Sequence, residues 1–347
     1  MSQRTTTPRA ELHTHLGAAV DPVIMWTIAH RQGIRLPVKD YWDFEDMITM
    51  GPDKKNRGID DMDKNYYHLT ELIQSSPEAM EETVHSVIGG GYRKCNLVLQ
   101  ELRFAPMKRN RTGERDLDFI ILAALWGMRR AMIEYSQVTA GLIIGLDRTF
   151  TPAQNAITVE KAIRYKTDGI VGVDILGPDR DTFSMEAHAP LLKHARNAGL
   201  GLTVHAGETG NLEELRYVVR TIRPERIGHG LAAVKDQKLM KDIVKQGIVL
   251  ELCPTSNLRN SVVKDIAELR TIIRTFIDNG VRFTINTDGP EMYRTSVIKE
   301  EKFLLAQNIM NEKEIAQCME WAFEAAFVKP KENGKKEKAE TGKKKKR

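Results

Sequence analysis

The sequence predicts an α/β protein, a (β/α)8 TIM barrel, and three observations carry that expectation. Eight short apolar runs, each suited to one strand, alternate with stretches of helical periodicity. Such alternation builds a closed parallel sheet inside a ring of helices. The chain has 347 residues, longer than most domains, yet barrels of this kind reach that length as one unit. Polar groups of catalytic type also recur where the apolar runs stop, and in this fold reactive groups sit at the C-terminal ends of the strands.

Ala10 to Leu16 reads as the first strand. Asp21-Pro22 then opens a helical pattern through Ile24, Met25, Ile28 and Ala29 that ends near Gly33. Residues 36–66 are mixed and charged. This long insertion between strands one and two, with Trp42, Phe44, Met47, Ile48 and Met50 in it, is a candidate helical lid over the end of strand one, with a packed helix hairpin as the alternative. Tyr66 to Ile73 looks helical, and Ser76-Pro77 caps a further helix to about Ile88. The second strand is Leu97 to Phe104. Helix Leu117 to Tyr135 leads to the third strand, Val138 to Leu146, and helix Ala156 to Tyr165 leads to the fourth, Gly169 to Leu176. After helix Met185 to Ala198 the run Leu200 to Val204 ends in His205. A helix after Asn211, then Arg226 to Gly228, Lys235 to Gly247, Ile248 to Leu252, Ile266 to Asn279 and Arg282 to Thr287 complete the alternation. Ser296 to Ala326 supplies closing helices. Residues 1–328 are therefore expected to form one barrel domain. From Lys329 the composition turns to Lys, Glu and Gly, so 329–347 is expected to be a disordered basic tail.

Bulk properties narrow the function. No apolar run reaches the roughly 20 residues of a membrane helix, and Met1 to Arg9 lacks the apolar core of a signal peptide. A cytoplasmic location is the default expectation. Cys95, Cys253 and Cys318 show no C-x-x-C spacing, which argues against a disulfide framework or a Cys-rich metal site and for buried thiols. The net charge is +5, but ten basic residues and three glutamates lie from Lys329 onward. That tail carries +7 and leaves −2 for the body, so nucleic-acid binding would have to rest on the tail alone.

The chemistry lies at the strand ends. Residues two apart on a strand share a face, so His13 and His15 are presented together. With His205 and Asp288 they suit one catalytic zinc per chain with a position open to water. Zinc lowers the pKa of such a water to about 7. Glu208 follows His205 across a Gly and faces the same cavity, where a shielded carboxylic acid keeps its proton and serves as a general acid. His229 could hold or deprotonate the water, or be a buried structural histidine. Glu101 and Asp174 also lie near strand ends.

Five segments together resemble the adenosine deaminase family. They are Glu11-Leu12-His13-Thr14-His15-Leu16, Val204-His205-Ala206-Gly207-Glu208, Arg226-Ile227-Gly228-His229-Gly230, Cys253-Pro254-Thr255-Ser256-Asn257 and Asn286-Thr287-Asp288, in the family's order over residues 10 to about 325. The resemblance implies a barrel of the metal-dependent hydrolase type in which His13, His15, His205 and Asp288 bind zinc. It further implies that Glu208 donates a proton to ring nitrogen N1 and that His229 positions the oxygen nucleophile at C6, with ammonia leaving. Asp174-Ile175-Leu176-Gly177 is similar to the family's fourth-strand segment, so the Gly177 amide would meet N3. Glu101 and Arg103 match a family pair with a structural role.

Two positions depart from the family. Gly17 replaces the usual Asp that binds the ribose 5′ hydroxyl, and Gly289 replaces a second Asp that bonds N7. Losing a charged hydrogen-bonding partner weakens binding by roughly 1.5–3 kcal/mol. The expected substrate is therefore adenosine or a related adenine nucleoside, with a 5′-modified one favoured and the glycines leaving room for a bulkier or differently bonded group. The rivals are another single-metal amidohydrolase acting on an amino-heterocycle, of the aminodeoxyfutalosine type, and an idle relative that only binds a nucleoside. A two-metal barrel would need a lysine on the fourth strand, and Val171 to Leu176 holds none. The small zinc deaminases are excluded because Cys253 has no cysteine three residues on.

Overall fold

The computed structural model describes residues 7–51, 53–110, 116–178 and 180–329. Its eight strands are β1 (Arg9–His15), β2 (Leu97–Phe104), β3 (Thr139–Asp147), β4 (Ile170–Leu176), β5 (Gly201–Ala206), β6 (Arg226–His229), β7 (Val249–Leu252) and β8 (Phe283–Ile285). They pair in parallel in the order of the chain. An isolated parallel bridge between Thr14 and Asp288 joins the last strand to the first. The Asp288 N–H donates to the His13 carbonyl at 3.0 Å and the His15 N–H to the Asp288 carbonyl at 2.8 Å. The barrel seam thus closes on three of the residues singled out as metal ligands.

Three elements depart from the expected boundaries. The helix after Ser76 runs from Pro77 to Cys95, straight through Gly89-Gly90-Gly91. Gly costs helix stability by about 1 kcal/mol against Ala, but here small residues allow close packing. A Cβ at Gly91 would lie 2.6 Å from the Gln100 side chain on β2, and one at Gly89 would lie 2.7 Å from Tyr135. Asn96 in the left-handed region ends the helix. The helix expected from Ala156 begins at Pro152, because Thr151 and Gln154 form a reciprocal cap with Pro152 at the first turn. The eighth strand stops at Ile285, since Asn286 to Asp288 turn out of the ladder towards β1.

All nine residues of β3 are buried, as in a sheet covered on both faces. Among the described residues no helix is long and apolar enough to cross a membrane. The closing helices are Val297–Ala306 and Glu312–Ala325. The expected basic tail lies outside the described residues from 330 onward.

Glu300, on the first closing helix, is fully buried and accepts from the Thr255 N–H at 3.1 Å and from the Thr295 hydroxyl. Burial pushes its carboxyl up from 4.5 to about 7, against the opposing pull of those hydrogen bonds. Between these values the unfolded chain holds fewer protons than the folded one, so Glu300 makes stability fall as pH rises. Its contribution is full below pH 4.5 and lost above about 7. Glu300→Gln keeps the Thr255 N–H bond on its oxygen and donates its –NH2 to a Thr295 hydroxyl turned to accept, without a charge. Its stability relative to the parent protein is expected to rise by about 3 kcal/mol at most between pH 4.5 and 8. Denaturant melts at several pH values check this, and a constant difference would contradict it.

Candidate active site

A pocket opens at the C-terminal ends of the strands, with His15, His205, Glu208, His229 and Asp288 in its wall. Three imidazoles converge at its base, with ring centroids 4.7–5.2 Å apart for His13, His15 and His205. The His15 and His205 Nε2 atoms are 3.1 Å apart, and Asp288 Oδ1 lies 3.5 Å from His15 Nε2. Candidate ligand atoms of His13, His15 and His205 fall within 4.8 Å of one another, as do those of His13, His229, Cys253 and Asp288.

The surroundings fix which nitrogen of His13 and of His205 is available. His13 Nδ1 is 2.7 Å from Glu251 Oε2 and His205 Nδ1 is 3.0 Å from Asp174 Oδ2. A carboxylate accepts only, so each ring donates from Nδ1 and turns a bare Nε2 inward. His13 Nε2 is buried without a hydrogen bond. Burial, and then the Arg103 charge with neighbouring imidazoles, hold His13 well below the usual imidazole range; burial likewise leads for His15 and His205. Three neutral rings converge, those of His13 and His205 with a bare Nε2, and such a set fits a divalent cation.

The carboxylates behind these rings are held by buried arginines. Arg103 pairs with Asp174 at 2.7 Å and Glu251 at 2.8 Å, while Arg226 pairs with Glu251 and Glu101, each at 2.6 Å. Burial alone would raise Glu251, but Arg103 and Arg226 hold it below its ordinary value. Glu101 and Arg103 are therefore not partners of each other. Glu101 binds Arg226 and the Val328 N–H, and does not line the pocket.

Glu208 and His229 meet at the rim, with Glu208 Oε2 3.5 Å from His229 Nε2. Asn257 Nδ2 lies 3.0 Å from His229 Nδ1 and 3.5 Å from Glu208 Oε1. An amide N–H donating to Nδ1 leaves the proton of the neutral ring on Nε2. Burial, then the nearness of the His205 ring and the Arg103 charge, push His229 down to about 3, so the ring is neutral at ordinary pH. Of the two tasks expected for His229, this tautomer fits holding an oxygen and not removing its proton. His229 and Asp288 both take positive φ, 61° and 65°, where non-glycine residues are uncommon and tend to mark functional positions. Ser256 Oγ donates to Asp288 Oδ2 at 2.5 Å.

The structure divides the insertion of residues 36–66 between two roles. Residues 42–50 do not line the pocket. They form helix Tyr41–Ile48, whose Phe44 is buried against Trp26 while Trp42 stays 73% exposed, so this part of the insertion is a packed hairpin. The later part of the insertion, with Ile59, Met62 and Asp63, lines the pocket beside Tyr67 and Glu71, where a lid is expected. Gly17 lines the pocket and Gly289 does not. A Cβ at Gly17 would lie 2.9 Å from the Tyr67 ring, which bounds the space beside it, and one at Gly289 2.5 Å from Ala18 Cβ, which fills that place. Gly177 also lines the pocket, at φ 95°.

Sequence reasoning misses the partners of the imidazoles. It marks Glu251 only as part of strand seven, Asp174 only as a strand-end group, and Ser256 and Asn257 only as members of a motif. The pairing of charged residues on different strands emerges only once the strands are aligned.

Eight parallel strands with converging imidazoles at their C-terminal ends define an amidohydrolase-type barrel. Within that class, the chain belongs to the adenosine deaminase family, whose pattern matches residues 8–339. It is 30% identical to an adenosine deaminase of Enterococcus faecalis over 325 residues, covering 94% of this chain and 93% of the relative. It is 28% identical to an adenosine deaminase of Shewanella denitrificans over 326 residues, covering 92% and 94%. Among solved structures it is similar to adenine deaminase from Arthrobacter aurescens, with a TM-score of 0.81, 19% identity and 92% and 94% coverage.

Proposed function

We propose that this protein is a zinc-dependent hydrolytic deaminase of an adenine nucleoside, replacing the C6 amine by oxygen with release of ammonia. The observation that carries the reading is the convergence of three neutral imidazoles beside the Glu208–His229 pair. His13, His15, His205 and Asp288 would hold the ion. When bound, zinc supplies Lewis acidity that brings the pKa of a coordinated water to about 7.

The remaining steps belong to this chain's side chains. Glu208, half-buried at the rim, donates a proton to N1 so that the ring accepts the electrons displaced by addition at C6. His229 Nε2–H holds the incoming oxygen on the C6 face. The Gly177 N–H meets N3 and sets the ring's orientation. The C6–N6 bond then breaks and nitrogen leaves as ammonia; of the added water's two protons, one completes the ammonia and the other restores Glu208.

A 5′-modified adenine nucleoside is the favoured substrate, because neither Gly17 nor Gly289 supplies the carboxylate that the family uses on adenosine. Ammonia release over adenosine, 5′-modified analogues and other amino-heterocycles tests this. The expected result is kcat/KM at least about 10-fold higher for a 5′-modified nucleoside, the scale of one lost charged hydrogen bond. A preference for plain adenosine would remove the substrate assignment, and no ammonia from any compound would leave an idle nucleoside-binding relative.

A further inference from the structure

We propose that Asp147 recognises the sugar of the substrate, its Oδ2 accepting a hydrogen bond from a ribose hydroxyl, so that the site takes ribonucleosides in preference to free bases. This rests on the deaminase reading above and adds a contact to it.

Asp147 ends β3 and lines the pocket, yet it is 1% exposed. Its Oδ1 accepts from the Thr149 N–H at 2.8 Å and from the Thr149 hydroxyl at 2.5 Å, which fixes the carboxylate plane. Its Oδ2 is buried and receives no hydrogen bond. The Lys108 ammonium stands 3.2 Å from that oxygen as a counter-charge and is itself bonded to Asp63 at 2.9 Å. Buried acceptors without a donor are uncommon in native structures, and one in a pocket wall calls for a ligand donor.

The position of this oxygen says which donor. A Cβ on Gly177 would lie 2.7 Å from Asp147 Oδ2, so the oxygen stands directly over the Gly177 backbone. If the Gly177 N–H meets N3, the sugar on N9 lies alongside, because N3 and N9 flank the same ring carbon. A glycosylated purine has no N–H on that edge, whereas the sugar offers hydroxyls. Lys108 disfavours a cationic donor, leaving a neutral one. Hydroxyl to carboxylate is a charge-assisted hydrogen bond, and a carboxylate holding a ribose hydroxyl is an established solution in nucleotide-binding folds. This contact would give the sugar an anchor in a pocket that lacks the carboxylate at position 17.

The test compares kcat/KM for adenosine, its 2′-deoxy and 3′-deoxy forms and free adenine, in the parent protein, Asp147→Ala and Asp147→Asn, with calorimetric binding of purine riboside and purine alongside. The parent protein is expected to lose about 10- to 100-fold with one of the deoxy forms. Asp147→Ala should lower turnover of the ribonucleoside by a similar factor and bring the ribo-to-deoxy ratio near one, leaving adenine unchanged. Asp147→Asn keeps the shape but has one acceptor oxygen to share between Thr149 and the ribose hydroxyl, so it should fall between, which protects the test should the alanine variant fold poorly. Equal losses on every compound, or adenine handled as well as its nucleoside, would overturn the inference while leaving the deaminase reading intact. Neither ammonia nor purine binding with any compound would overturn both.

Discussion

Glu208→Gln is expected to lower kcat by about 10²- to 10⁴-fold, the range for loss of a general acid, with one zinc per chain retained. The amide has the same shape but no acidic proton to give to N1. Glu208 is not among the clustered ligand atoms at the base of the pocket, so the substitution should spare the metal. Its contacts with His229 and Asn257 are long, 3.5 Å each, and the single oxygen of Gln can keep one of them. Steady-state kinetics paired with metal analysis distinguish the outcomes. A kcat within about threefold of the parent would take the acid role away from Glu208.

Removing one imidazole should have the larger effect. His205→Ala is expected to bring bound zinc from one per chain to a small fraction and activity to background. The variant deletes a ring whose Nε2 lies 3.1 Å from that of His15, and it strips Asp174 of the group that the carboxylate orients. Arg103 still pairs with Asp174, so the buried charge keeps a partner and the barrel can form. Because a metal that binds only the folded state stabilises it, added zinc should raise the melting temperature of the parent and not of His205→Ala. A variant that retains full zinc would show that this ring is not a ligand.

Much of this site is legible in the amino-acid sequence alone. His13, His15, His205 and Asp288 can be placed together because a parallel barrel puts strand ends on one rim, and apolar runs mark where the strands end. What the sequence hides depends on contacts between distant segments. Glu251 lies mid-barrel on a strand buried on both faces, where no alternation marks the inward side, and only its 2.7 Å contact with His13 reveals its role. The aromatics at 42–50 have the composition of a cover, yet Phe44 points into the hairpin core and the cover comes from the segment holding Met62 and Tyr67. The space beside Gly17 is bounded by Tyr67, which reaches across from fifty residues away, a neighbour that no local pattern announces. Tyr67 and Asp147 carry buried polar atoms without hydrogen bonds, a property with no signature in the linear chain.

The convergence of His13, His15, His205 and Asp288 on one cation is tested most directly by metal analysis of the purified protein before and after chelation, with ammonia release from adenine nucleosides followed in parallel. One zinc per chain, loss of ammonia release when it is stripped, and recovery when zinc is returned is the predicted result. Protein that carries no metal, takes none up and still releases ammonia would contradict it.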